Sequence, residues 1–66
     1  MINVELIETL RKQHGYTQED MAIMIGYKSR SAYNRKIKGV RDFTIEDIAN
    51  LCKLFQIELN ELIIMN

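Results

Sequence analysis

The chain has 66 residues with one cysteine, one histidine and no proline, and its nine basic and nine acidic residues cancel at neutral pH. That length suits one small domain spanning 1–66 rather than two, and the lone Cys52 and lone His14 exclude an internal disulfide and a structural zinc site. No apolar run approaches the ~18 residues of a membrane span, and 47% hydrophobic content argues for a packed globule over a disordered chain.

Taken in order, the residues read as helix punctuation. Asn3 is placed to cap a first helix reaching about His14, with Leu6, Ile7 and Leu10 on one face and Glu8–Lys12 as an i,i+4 ion pair. Gly15 supplies its stop. Thr17 followed three residues later by Asp20 is close to a capping box, and Tyr16 with Met21 occupies the two positions of a hydrophobic staple. The second helix is therefore predicted from Gln18 to Ile25, turning Met21, Ala22 and Ile25 inward, with Gly26 as its end. Ser29 is the expected cap of a third helix reaching Lys38 and stopped by Gly39. The run Phe43-Thr44-Ile45-Glu46-Asp47-Ile48 repeats the staple-and-cap design and starts a fourth helix to about Phe55, burying Ile45, Ile48, Ala49, Cys52 and Phe55. A short fifth helix begins near Leu59 and carries Leu62 and Ile63. Five helices with short loops, and no alternating strand pattern, predict a compact all-α domain.

The charges are balanced in number but not in place. Lys28, Arg30, Arg35, Lys36, Lys38 and Arg41 stand in a stretch from Met21 to Arg41 that contains no acid, leaving three bases against nine acids elsewhere. Such a segment directs an attractive field at a polyanion. The three or four residues between helices two and three force a steep crossing, as in a helix-turn-helix. With Tyr33 and Ile37 as the inward stripe of the third helix, Arg30, Ser31, Asn34 and Arg35 face outward. A DNA major groove about 12 Å wide admits one such helix, and arginine and asparagine can bond bidentately to guanine and adenine edges. Lys28, Lys36, Lys38 and Arg41 are suited to phosphates.

Through YTQEDMAIMIGYKSRSAYNRKIKGVRDFTIEDIANLCKLFQIELNELI, and over roughly Leu6 to Ile63, the chain resembles the lambda-repressor-like DNA-binding domain, the Cro/CI or XRE-type helix-turn-helix, in the style of small phage or mobile-element regulators. The resemblance implies a compact five-helix fold whose second and third helices form the DNA-reading unit. It implies phosphate contacts at Thr17 and Gln18, Gln18 also buttressing the recognition helix, and base contacts at Arg30, Ser31, Asn34 and Arg35. Three departures stand out. Tyr33 lies seven residues after Gly26 where the family usually has six, so one residue near Tyr27 or Lys28 is inserted, leaving two registers for the third helix. Lys36 occupies a position that is apolar in many members. The segment after Gly39 lacks the common proline, and Phe43 anchors it instead.

The expected function is sequence-specific binding of double-stranded DNA by a transcriptional repressor of Cro/CI type. A homodimer on a palindromic operator is expected, because one such domain reads only a few base pairs. Leu62, Ile63, Ile64 and Met65 are the candidate dimer surface, part of that tail finishing the core. The alternative is a protein-binding helix-turn-helix module such as an antitoxin or anti-repressor. No nucleophile–base pair, metal set or glycine-rich phosphate loop points to an enzyme or a cofactor. No membrane partner or small-molecule effector is expected. The start MINVELIETL, with two glutamates, is unlike a signal peptide and points to a cytoplasmic location.

Overall fold

The computed structural model describes residues 1–64, so Met65 of the candidate dimer tail lies outside the described residues. Five helices form: α1 (Val4–Gln13), α2 (Gln18–Met24), α3 (Arg30–Ile37), α4 (Ile45–Phe55) and α5 (Leu59–Leu62). The fold is all-α, and each boundary falls within a residue or two of its sequence signal.

The caps account for that agreement. Asn3 Oδ1 accepts from the Leu6 N–H at 3.1 Å and opens α1. Both threonine boxes are complete: Asp20 N–H donates to Thr17 Oγ1 at 3.0 Å while Thr17 N–H donates to Asp20 Oδ2 at 2.8 Å. The same exchange joins Asp47 and Thr44 at 3.0 and 2.9 Å. Helices α1, α2 and α3 each run into a glycine of positive φ, whereas α4 ends on Gln56 at φ 55°.

The core lies where the helices converge: Ile7 of α1, Met21, Ala22 and Ile25 of α2 and its end, Tyr33 of α3, Leu51 and Phe55 of α4, and Leu62 of α5. Fully burying a large apolar side chain contributes about 1.5–3 kcal/mol. Helix α4 departs from expectation. Its inward face is Leu51 and Phe55 with Asp47 at its head, while Ile45 is 87% exposed and Ala49 is also exposed. The apolar residues of α4 cover more than one stripe, so the 3.6-residue period alone does not say which is covered. Ile48 and Cys52 are half-buried against the core, as expected, and with the exposed Ile45 and Ala49 they also border an apolar groove shared with Leu59 and Ile63 at α5.

Two further features are absent from the sequence pattern. Ile2 and Ile63 form an isolated antiparallel bridge, with Asn3 N–H on Leu62 O at 2.7 Å and Ile64 N–H on Met1 O at 2.8 Å. Leu62 is fully buried beneath this bridge and belongs to the core, which removes it from the candidate dimer surface. The other is the partner of Glu8. Arg11, not Lys12, takes its carboxylate, through Nε at 2.9 Å and Nη2 at 3.1 Å.

Candidate nucleic-acid interface

Helix α3 is presented by the turn before it and by what it packs on. At the end of α2, Gly26 N–H bonds to Ile23 O at 3.1 Å and Tyr27 N–H to Ala22 O at 2.8 Å. This paired arrangement needs a left-handed residue at Gly26, whose φ is +94°. A Cβ there would meet no atom within 4 Å. Backbone conformation, not crowding, therefore requires glycine at this turn. The chain then passes through Tyr27, Lys28 and Ser29 into α3, which packs chiefly against α2.

Three inward contacts fix which face of α3 is free. Tyr33 is fully buried, and its hydroxyl donates to Glu8 Oε2 at 2.7 Å. Arg11 chelates the same carboxylate and donates through Nη1 to Tyr16 O at 2.7 Å, so α1, the start of α2 and α3 share one polar joint. Burial acts to raise the Glu8 pKa, but the bonds from Arg11 and Tyr33 outweigh it and hold the carboxyl below its ordinary value. Burial, reinforced by the Glu8 carboxylate, pushes the Tyr33 phenol well up. The second contact is Asn34 Nδ2, which donates to Gln18 Oε1 at 3.2 Å and ties the middle of α3 to the first residue of α2.

The third contact corrects a sequence expectation. Lys36 was expected at a phosphate, but it is only 7% exposed and its Nζ lies 2.7 Å from Asp47 Oδ2. The ammonium also donates to Asp42 O at 2.9 Å and sits 4.7 Å from the Tyr27 ring centroid. Lys36 follows Tyr33 by three residues, so both fall on the inward face. An ammonium buried there is neutralised internally and does not reach a nucleic-acid backbone. Asp47 accepts from Lys36, from the Thr44 N–H and from the Tyr27 hydroxyl at 3.0 and 3.2 Å. Burial acts to raise its pKa, but these donors hold the carboxyl below its ordinary range. For Lys36, burial acts to lower the pKa, and the Asp47 carboxylate more than reverses this.

The remaining site residues are disposed as follows. Arg30, Ser31 and Arg35 are exposed on α3, and Asn34 is half-buried beside them. Lys28 precedes the helix and Lys38 and Arg41 follow it, all exposed. Among the described residues the ion pairs are Glu8–Arg11 and Lys36–Asp47, so none of these five exposed cations is paired to an acid. Thr17, Gln18 and Arg30 border one open cleft together with Arg11 and Glu19. Thr17 Oγ1 is already an acceptor in its cap, which leaves its hydroxyl hydrogen available to a ligand. Ser29 occupies the cap position of α3 as expected but makes no cap bond; its hydroxyl lies 3.0 Å from that of Ser31. Tyr33 buried and Arg30, Ser31 and Arg35 exposed select the register that starts α3 at Arg30.

Sequence reasoning missed the partners of this site rather than its face. From the sequence, Glu8 reads as the partner of Lys12, Asp47 as a capping residue and Tyr27 as part of an insertion, while Arg11 carries no assigned role. A lysine at a position spaced three after a core tyrosine was the available signal for a buried acceptor. Among the described residues no helix is long and apolar enough to cross a membrane. Neither the curated proteins nor the solved structures gave a match to the chain. A family model described as helix-turn-helix matches residues 7–62, which takes in α2, the turn, α3 and every buried core residue named above. With that match, and with α2 and α3 packed as the joined pair just described, the chain belongs to the XRE-type, lambda-repressor-like helix-turn-helix family of DNA-binding regulators.

Proposed function

We propose that the protein is a transcriptional repressor of Cro/CI type that reads a specific duplex with α3 in the major groove. The observation that carries this is the set of free cations on and beside α3: Lys28, Arg30, Arg35, Lys38 and Arg41 are exposed without acidic partners, while Tyr33 and Lys36 lock the inward side of the helix to α1 and α4. Arg30, Ser31, Asn34 and Arg35 are assigned to base edges. For Asn34, Gln18 takes one amide hydrogen and leaves the other and Oδ1 for a base. Thr17, Gln18, Lys28, Lys38 and Arg41 are assigned to phosphates, which supply most of the affinity and fix the docking register.

A homodimer on a palindromic operator completes the reading, since two half-sites double the sequence read. Of the expected tail, Ile63 and Ile64 remain as candidate contacts, and Ile63 adjoins the apolar groove of Ile45, Ala49, Cys52 and Leu59. Selection from a random duplex library followed by footprinting tests the whole proposal. Recovery of a twofold-symmetric site with half-sites about one helical turn apart is expected. Failure to enrich any duplex at low salt would exclude it and favour a protein-binding role.

A further inference from the structure

We infer that Asp47 is a positioning residue for base reading, holding the recognition helix in its groove-facing orientation through Lys36 and Tyr27. The inference rests on the DNA-binding reading above.

Both ends of α3 converge on this one carboxylate. Tyr27 stands in the turn that leads into the helix, and its hydroxyl donates to both Asp47 oxygens at 3.0 and 3.2 Å. Lys36 stands in the last turn, and its ammonium lies 2.7 Å from Oδ2. Asp47 is itself held at the head of α4 by its capping exchange with Thr44, and it is 2% exposed. The chief helix packing of α3 is on α2, and beside the shared core of Tyr33, Leu51 and Phe55 these polar bonds tie it to α4. Lys36 also donates to Asp42 O and thereby draws in the loop that carries Lys38 and Arg41.

Tyr27, Lys28 and Ser29 link Gly26 to α3, and Ser29 makes no cap bond, so the turn by itself leaves the helix free to roll. Tyr27 spends its side chain on this carboxylate, and its ring covers the Lys36 ammonium at 4.7 Å. A buried ion pair contributes little net stability compared with an apolar replacement, but it tolerates only a narrow geometry. A roll of α3 would separate charges that have no water to solvate them. The exposed cations would keep their attraction for any duplex after such a roll, but Arg30 and Arg35 would no longer meet defined base edges.

The test is the double variant Lys36→Met/Asp47→Asn, which removes both charges and keeps a cap acceptor at position 47. The milder Tyr27→Phe serves as a second variant in case the first does not fold. Each is titrated against the duplex selected by the wild-type chain and a shuffled duplex of equal length, over a range of salt. The expected result is a selected-to-shuffled affinity ratio at least tenfold lower, with affinity for the shuffled duplex and its salt slope unchanged. Hydrogen exchange without DNA is expected to show α3 amides losing at least tenfold in protection relative to those of α1. A ratio within twofold of wild type in a folded variant, or an exchange loss spread evenly over all helices, would reduce Asp47 to a stability residue and overturn the inference. A wild-type chain that prefers no duplex would instead overturn the DNA reading, and the positioning role with it.

Discussion

Removing one member of the Lys36–Asp47 pair leaves the other charged, dry and without a partner, which costs about 3–5 kcal/mol. Lys36→Met is therefore expected to lose most of the stability of so small a domain, read as a large fall in the urea midpoint or loss of a cooperative transition. The pH dependence follows from the direction of each shift. Asp47 and Glu8 are held below their ordinary values, so their contribution is complete above about pH 5 and is lost as pH falls further. Lys36 is raised, so its contribution is complete below about pH 10 and lost as pH climbs above that. In the double variant Lys36→Met/Asp47→Asn, which leaves no unpaired buried charge, stability between about pH 2 and 5 should vary less steeply than in the wild type; an equal slope in acid denaturation would mean that Asp47 does not carry the effect. The exposed residues behave differently. Arg30→Ala should flatten preference at one or two operator positions, at about 1–3 kcal/mol for a bidentate contact. Lys38→Ala should weaken binding to every duplex and make the salt slope shallower by about 0.9.

At the scale of the helix, the four residues around each start and stop decide the boundaries. The Thr17 and Thr44 boxes formed even though aspartate stands where glutamate or glutamine is more usual, because the shorter carboxylate still reaches the threonine N–H at 2.8 and 2.9 Å. Those signals are local, so the sequence displays them. Thr44→Ala should cost about 0.5–2 kcal/mol, and somewhat more than Thr17→Ala, since Thr44 also orients the carboxylate that holds Lys36; paired thermal melts compare them. Gln56 is the exception among the stops. It takes the left-handed conformation that glycine takes at the ends of α1 to α3, at roughly 1 kcal/mol of strain. Gln56→Gly is accordingly expected to raise the melting temperature by a few degrees, and a fall would show that the exposed glutamine side chain makes a compensating contact. What the sequence did not display were choices between equivalent local patterns. Ile45 and Ala49 fit a helical stripe as well as Leu51 and Phe55 do, and only the convergence of the other helices on Leu51 and Phe55 selects between them. Lys36 looked like one more cation in a basic run, because its acceptor is eleven residues away in another helix.

Across the whole molecule the two charge populations separate cleanly in role. Of the six bases in the acid-free stretch, one is spent inside and five remain outside, so the field that would meet a polyanion comes from five charges rather than six. The apolar groove between α4 and α5 lies on other elements than the cationic face. If two copies meet there, Leu59→Lys, at a 54% exposed position, should lower the dimer fraction in sedimentation without unfolding the monomer, and an unchanged mass distribution would move the contact elsewhere. The bridge between Ile2 and Ile63 has its own consequence. With the Ile64 N–H bonded to Met1 O, these two residues are neighbours, so a short glycine linker leading from Ile64 to Met1 could be combined with a new opening at Gly15. The order would become α2, α3, α4, α5, α1, with the DNA-reading pair uninterrupted and leading the polypeptide. Such a circular permutant should fold and keep its duplex preference, because Gly15 is exposed and the bonds that orient α3, from Tyr33, Asn34 and Lys36, are made by side chains and not by that connection.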